Sequence, residues 1–315
     1  MKFRTTAIAM AVAGIAAAPV AVQAGADEVY ASARVGLVYE DAPTVDASGN
    51  FTGDSVADFR VSNMASRFGM RGETDLGNGL TGFGRYEFSV TDSGVGLRHR
   101  YVGLKGDWGS LLLGQTYHTF YNYVVGPLDN PWWYSGVTMV EYRGRTDHGI
   151  TYAGGSGAVS FGATAYFQTD SEETAPEGIE LGISVGLGDS TLAFAYAGTD
   201  EDGATSTHGV GNDEDILAVA WHGIGLGDTS LGVSYMDQDG DQSLVIDWLF
   251  GNAYFHAEQL MLDDADIDPL TLTLGYTQSL GRKTTMWYEA AMVDLDTSGV
   301  DDVVFFAATL KYDII

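Results

Sequence analysis

The amino-acid sequence predicts an all-β fold: a transmembrane, antiparallel, up-and-down β-barrel of about sixteen strands. Three observations predict it. Polar and apolar residues alternate over most of the chain after Val29, and short glycine-rich connections alternate with longer acidic ones. Beyond the N-terminus, no stretch approaches the roughly 20 consecutive apolar residues that a membrane-spanning helix needs. Short turns at one end and longer loops at the other are typical of barrels in an outer membrane.

The N-terminal segment has the pattern of an export signal. Lys2 and Arg4 precede an alanine-rich apolar run that ends in Val-Gln-Ala at Ala24. A charged segment, an apolar segment and a small-residue cleavage site predict a signal peptide over residues 1–24. The alternative, a membrane anchor, is disfavoured because no stop-transfer pattern follows. Residues 25–315 are then expected to form a single barrel domain in the outer membrane.

Composition excludes several classes of partner and site. The chain of 315 residues has a formal net charge of −28 and no cysteine. A strongly acidic protein is a poor partner for nucleic acid, because phosphates favour a basic surface. Disulfides, thiolate catalysis and thiolate metal sites are excluded as well.

The alternation divides the chain into segments long enough to cross a bilayer. A tilted spanning strand needs about 9–11 residues, and most of the segments reach that length. Strands are predicted near residues 29–40, 58–75, 80–91, 96–106, 110–117, 142–153, 157–168, 178–187, 190–199, 214–224, 229–236, 243–250, 253–262, 270–279, 283–293 and 302–314.

The two faces of these strands differ in a way that a soluble sheet does not explain. In residues 66–90 one face carries Arg67 and Arg85, whereas the other carries Phe68, Met70 and Tyr86. Alternation alone also suits a soluble sandwich. However, no second apolar layer is available to cover the apolar face, so that face must meet lipid. A sheet in lipid must close on itself, and about sixteen strands enclose a water-filled lumen.

Basic residues are concentrated in the first part of the chain. Nine arginines lie between positions 34 and 145, and residues 146–281 contain neither lysine nor arginine. The pattern therefore predicts a positively charged wall formed by the first six strands. By parity, the arginines expected to project into the lumen are Arg67, Arg85, Arg98, Arg100, Arg143 and Arg145. The alternative is that several of them only neutralise Glu73, Glu87 or Glu141.

One long connection, residues 117–139, is aromatic rather than acidic. Its tyrosines, tryptophans and two prolines argue against disorder, and loops of this length are usually functional. A packed aromatic loop needs a place to be buried, and the lumen offers one. If it folds inward, Asp129 and Glu141 would oppose the arginines. The alternative is a surface loop at an oligomer contact. The candidate residues are Tyr117, His118, Tyr121, Asp129, Trp132, Trp133 and Glu141.

Two stretches, "SRFGMRGETDLGNGLTGFGRYEF" and "RHRYVGLKGDWGSLLLGQ", together with the aromatic loop, resemble the general-diffusion porins of Gram-negative outer membranes. The resemblance implies a sixteen-stranded barrel, usually trimeric, whose third extracellular loop folds inward and faces a ladder of arginines. It implies that Arg67, Arg98 and Arg145 match ladder positions. It also implies that residues 118–139 match the constriction loop.

The sequence departs from that family in three places. Gln115 stands where many relatives have an arginine, Asp129 is the best match among few loop carboxylates, and the chain ends in Tyr-Asp-Ile-Ile rather than in a terminal aromatic residue. These departures leave open whether the channel favours anions or cations.

Four functions remain to be compared. Passive diffusion of small hydrophilic solutes and ions is the first. A channel selective for sugars or aromatic solutes, which would stack on the loop tyrosines and tryptophans, is the second. A structural or adhesive barrel is the third. An enzyme is disfavoured, because the six histidines are scattered and no serine-centred motif accompanies them.

The acidic connections have two interpretations. Stretches such as "DEDGAT" and "DQDGD" supply carboxylates that suit Ca²⁺, yet no complete calcium loop is present. The simpler interpretation is a strongly solvated exterior with divalent bridging to lipopolysaccharide. We therefore expect no cofactor and no metal site. The expected partners are the lipid bilayer, lipopolysaccharide, small solutes and two further copies in a homotrimer.

Overall fold

The computed structural model describes residues 27–45, 51–133, 145, 148–167, 178–199, 215–263 and 268–315. The expected signal peptide, Glu141 and Arg143 lie outside these residues, as do most of the acidic connections. The described strands are β1 (Glu28–Val45), β2 (Phe51–Asn63), β3 (Ser66–Gly77), β4 (Leu80–Thr91), β5 (Gly94–Gly106), β6 (Gly109–Gln115), β7 (Gly149–Ser156), β8 (Val159–Tyr166), β9 (Gly178–Leu187), β10 (Ser190–Thr199), β11 (Ile216–Leu226), β12 (Thr229–Gln238), β13 (Asp241–Phe250), β14 (Ala253–Met261), β15 (Leu270–Gly281), β16 (Thr284–Asp294) and β17 (Val303–Asp313).

These strands form one closed antiparallel barrel. Apart from β2 and β3, which each pair with β1, every strand pairs with its neighbours in the chain, and β17 returns to pair with β1 from Ser32↔Asp313 to Asp41↔Val304. The described sheet therefore closes on itself, as a sheet in lipid requires. The barrel fold predicted from the alternation is therefore confirmed.

The described strands occupy sixteen positions around the barrel although they number seventeen. Both β2 and β3 pair with β1, one beyond the other along its length. The chain is interrupted between them at Ala65, whose φ is 47°, while the Met64 N–H still donates to the Arg34 carbonyl at 3.0 Å. The single strand predicted at residues 58–75 is thus kinked into two segments that share one position.

The strand predicted at residues 142–153 begins later than expected. The described strand starts at Gly149, and His148 before it has a φ of 62°, a left-handed conformation outside the strand region. Of the predicted strand's first residues, Arg145 is described and lies in a bend. The remaining predicted strands agree with the observed ones to within a few residues, apart from β1 and β2, which extend further.

The two faces of the barrel wall have the character that the sequence predicted. On β9, Ile179, Leu181 and Ile183 are each nearly half exposed on the outside, whereas Glu180 between them is 1% exposed on the inside. The outward face of β3 carries Phe68 and Met70 in the same way. The outside of the barrel is therefore an apolar band, and the polar side chains face the interior.

No helix among the described residues is both long and apolar enough to cross a membrane.

Candidate pore constriction

The connection after β6 lies against the inner face of the barrel. Its described part, residues 116–133, is called the inner loop below, and it contains a short π-helical turn at Tyr121–Val125. Phe120, Val124 and Leu128 of this loop are fully buried. Their surroundings show that the burial occurs inside the barrel.

The beginning of the inner loop is held by a carboxylate on β9. The Phe120 backbone N–H donates to Oε2 of Glu180 at 2.7 Å, and Nδ1 of His118 lies 3.0 Å from Oε1. Beside it, the hydroxyls of Thr119 and Thr164 are 2.9 Å apart. Glu180, which is 1% exposed, therefore accepts a hydrogen bond from a backbone N–H group of the loop.

The middle of the loop is held by apolar packing. Small side chains on the inner face of the wall leave room for larger loop side chains, and a Cβ added at Gly182 would come within 2.7 Å of the Tyr123 ring. The buried loop residues pack in one cluster with wall residues of β10, β11, β12 and β13. The cluster contains Phe120, Val124, Val125, Leu128, Ala195, Ala197, Ile216, Ala218, Ala220, Met236 and Val245.

The far end of the loop is held by a second glutamate, Glu289 on β16. Its two carboxylate oxygens accept the backbone N–H groups of Trp132 at 2.7 Å and Trp133 at 3.0 Å. The Tyr254 hydroxyl donates to the same carboxylate at 2.8 Å. The Trp132 ring stacks on Trp287 with centroids 4.0 Å apart. Between the two ends, the Asn130 amide donates to Asp247 of β13 at 2.6 Å.

On the inner face of the first strands, four arginines form what we call the arginine wall: Arg34 on β1, Arg67 on β3, Arg85 on β4 and Arg98 on β5. Glu87 lies among them and is 1% exposed. It accepts hydrogen bonds from Arg85 Nη2 at 2.5 Å and from Arg98 Nε at 2.9 Å. The Tyr30 hydroxyl donates to the same carboxylate at 2.8 Å.

The arginine wall carries more positive charge than its carboxylate neutralises. Arg34 and Arg98 both lie close enough to Arg67 to repel it. Nη1 of Arg34 and Nε of Arg67 are buried without a hydrogen-bond partner among the described residues. Guanidinium groups stay charged in such surroundings. The wall therefore carries a net positive charge.

Between the arginine wall and the start of the inner loop lies a cavity of about 340 Å³. Arg67, Arg85 and Arg98 line one side, and Tyr117 and Asn122 line the other. Arg98 Nη2 donates across this space to the Tyr117 hydroxyl at 3.2 Å. The cavity brings three of the predicted arginines next to the start of the predicted loop.

The aromatic faces of the loop are occupied by the protein itself. Tyr117 stacks on Tyr121 with centroids 3.9 Å apart, and the Arg145 guanidinium lies 4.6 Å from the Tyr117 centroid. The Tyr121 hydroxyl donates to Asp129 at 2.8 Å. Burial, and then the nearby Asp129 carboxylate, raise the pKa of the Tyr121 phenol. Asp129 thus accepts a hydrogen bond from a tyrosine of its own loop.

The prediction that Arg100 faces the lumen is wrong. Leu97 pairs with Phe88 and His99 pairs with Glu87, so Arg98 is an extra residue in β5 at a β-bulge. The bulge shifts the alternation by one residue. Arg98 and His99 both face Glu87, and Arg100 then falls on the outer face beside Tyr86 and Val102.

Simple parity also missed several residues of the site. Arg34 was noted as one of the clustered arginines but was not placed in the lumen, although its 7% exposure and its position 4.9 Å from the Trp132 ring put it there. Glu180 and Glu289 were missed as loop ligands. The signal for Glu180 was a carboxylate at an inward position in the stretch of sequence that lacks lysine and arginine. Among the described residues, no cluster of three or more His, Asp or Glu side chains could hold a metal ion.

Comparison with known proteins bears on the family and the fold of the chain. The family model described as "Gram-negative porin" matches residues 5–298. The major outer membrane protein P.IB of Neisseria meningitidis serogroup A is 32% identical over 105 residues, which is 32% of this chain and 31% of the relative. Outer membrane porin C of Rahnella aquatilis is 38% identical over 86 residues, 25% of each chain. The chain thus spans about a third or less of the length of these curated relatives.

Solved structures match over a much larger share. The anion-selective porin from Comamonas acidovorans has a TM-score of 0.72 at 16% identity, covering 92% of this chain and 100% of that one. The Salmonella typhi OmpF complex with daunomycin has a TM-score of 0.66 at 17% identity, covering 91% and 97%. These likenesses show the fold. Together with the match of the family model over most of the sequence, they show that the chain belongs to the Gram-negative porin family.

Proposed function

We propose that this porin forms a water-filled channel in the outer membrane for passive diffusion of small hydrophilic solutes and ions, with a preference for anions. The single observation that carries the preference is the arginine wall, in which four guanidinium groups surround Glu87. Arginines at a narrow point favour anions electrostatically, because little water separates them from a passing ion. Passive transport of this kind needs no catalytic group.

The remaining expected partners belong to the same proposal. The apolar outer band suits a lipid bilayer, and the acidic connections suit divalent bridging to lipopolysaccharide. A solved relative, OmpT of Vibrio cholerae, is described in a trimer form, and it covers 92% of this chain with a TM-score of 0.67. We extend that trimer to this chain. Residues 1–24 remain the proposed signal peptide.

The selective-channel alternative loses its main support. Stacking on a sugar ring needs an aromatic face that a solute can reach. Trp132 lies between Arg34 and Trp287, and Tyr121 lies against Tyr117. These rings pack against the protein, which favours general diffusion.

Planar-bilayer recording tests the proposal. Purified protein should produce stepwise conductance increases, and a potassium chloride gradient should give a reversal potential of the sign expected for chloride preference. A folded barrel that gives no conductance, and no entry of small sugars into liposomes, would rule out the channel. A reversal potential of the opposite sign would rule out the anion preference alone.

A further inference from the structure

Three carboxylates on the inner wall point toward the inner loop. Glu180 on β9, Asp247 on β13 and Glu289 on β16 are 1%, 3% and 5% exposed. Glu180 and Asp247 lie on the part of the barrel away from the arginine wall, in a stretch of sequence without lysine or arginine, whereas Glu289 lies two strands from Arg34 on β1. Uncovered, the three would add negative charge to the part of the inner face that the loop now covers.

Each of these carboxylates accepts hydrogen bonds from the loop. Glu180 accepts the Phe120 N–H, Asp247 accepts the Asn130 amide, and Glu289 accepts two consecutive backbone N–H groups. A carboxylate takes such bonds on both oxygens and gains more from them than a neutral acceptor does. Their negative charge is therefore engaged by loop N–H groups and buried beneath the loop.

We propose that Glu180, Asp247 and Glu289 are positioning residues that set the ion preference of the channel by holding the inner loop over themselves. While the loop is docked, the water column faces the arginines and the anion preference results. When the loop is displaced, the same three carboxylates face the water column and favour cations. This inference rests on the proposed channel function.

The variant Glu289→Gln separates this role from that of an ordinary pore charge, because the two predict opposite signs. One glutamine position is an NH₂ group, which cannot accept from a loop N–H, so at least one of the two N–H bonds is lost and this end of the loop is loosened. We expect the loosened loop to uncover wall carboxylates that remain charged, and the reversal potential to shift toward cations with a rise in single-channel conductance. If Glu289 were instead a charge that ions pass directly, its neutralisation would shift the reversal potential toward anions.

A matched control comes from the same wall. Glu258 on β14 is also inward and 1% exposed, but it accepts from the Ser243 hydroxyl at 2.9 Å, and its other oxygen has no hydrogen-bond partner among the described residues. Glu258→Gln should leave conductance and reversal potential unchanged. If Glu289→Gln does not fold, Glu180→Gln provides the same test at the other end of the loop, with the same expected signs.

A triple variant tests whether the exposed carboxylates cause the shift. Glu180→Gln, Asp247→Asn and Glu289→Gln together weaken all three carboxylate contacts to the loop, so that the loop is released and none of these three charges remains beneath it. Conductance should rise without a shift toward cations. A shift as large as that of Glu289→Gln alone would overturn the role given to the buried charges.

A disulfide provides a reversible rescue in this cysteine-free chain. A Cβ at Gly232 would lie 3.4 Å from the Leu128 Cγ, which is within reach of a cystine bridge. In the background of Glu289→Gln, the pair Leu128→Cys and Gly232→Cys should return the reversal potential toward the wild-type value when oxidised and release it when reduced. Identical values in the two redox states, or a Glu289→Gln shift toward anions, overturn the inference. Failure of the wild type to conduct refutes the channel function instead.

Discussion

Glu87 shows how one residue determines the charge of the arginine wall. It contacts Arg85 and Arg98 directly and is 1% exposed, so its charge interacts with these neighbours rather than with passing ions. Removing one partner of a buried ion pair is costly because it leaves the other charge uncompensated. Two of the arginines, Arg85 and Arg98, thus pair with a glutamate, as the sequence had offered as an alternative. Arg67 and Arg34 each have a buried donor atom without a hydrogen-bond partner among the described residues.

We expect Glu87→Gln to destabilise the folded barrel by about 3 kcal/mol, because the four arginines then repel one another without a carboxylate between them. Urea titration of the folded protein in lipid vesicles measures this change, and bilayer recording should show a stronger preference for anions. Glu73→Gln is the matched control. Its partner Lys105 and the carboxylate are each about half exposed, so its loss should cost less than about 1 kcal/mol. Equal costs for the two variants would contradict the role of burial.

At the scale of elements, strand alternation predicts most of the wall and fails at one bulge. The spans of β4, β9 and β10 agree residue for residue with the pattern, because each face of those strands has a single environment. In β5 the extra residue at Arg98 reverses the parity that follows, and a period of two contains no signal for it. Arg100 was misplaced for that reason.

The inner loop is harder to predict from sequence because its contacts are distant along the chain. Its aromatic composition indicated burial, and its length indicated a function. Which wall residues hold it depends on the closure of the barrel, which brings together Trp132 and Glu289, 157 residues apart in the chain. The two glutamate ligands could therefore be recognised as inward residues but not as loop ligands.

The fit of the loop to the wall gives an element-scale prediction. A methyl group at Gly182 would meet the Tyr123 ring at 2.7 Å and Thr119 at 2.8 Å, so Gly182→Ala should displace the start of the inner loop. We expect altered single-channel conductance with more frequent current fluctuations. Gly186→Ala lies two inward positions along the same strand, where the nearest atom is 3.7 Å away, and it should behave like the wild type. Unchanged recordings for both variants would show that the loop does not narrow the conducting path.

At the scale of the whole molecule, the barrel separates two environments with one sheet. The outward residues of β9 are large and apolar, and the inward ones are small or polar, so each strand carries both the lipid contact and the lumen lining. The sequence could predict this division because it depends only on local alternation and closure. It could not predict the sign of the ion preference, which in the mechanism that we propose depends on which charges the inner loop covers.

The lipid contact of the outer face gives the last prediction, tested by moving one charge between the two faces of β9. Ile183→Arg places a guanidinium on the outward face near the middle of the strand, where Ile183 is 46% exposed. An arginine near the bilayer midplane costs about 2–4 kcal/mol in a barrel of this kind, so the urea midpoint for folding into vesicles should fall clearly. Ser184→Arg, one residue along, adds the same charge to the water-filled side and should change the midpoint much less. If the Ser184 variant were the more destabilised of the two, the assignment of the inner and outer faces would be reversed.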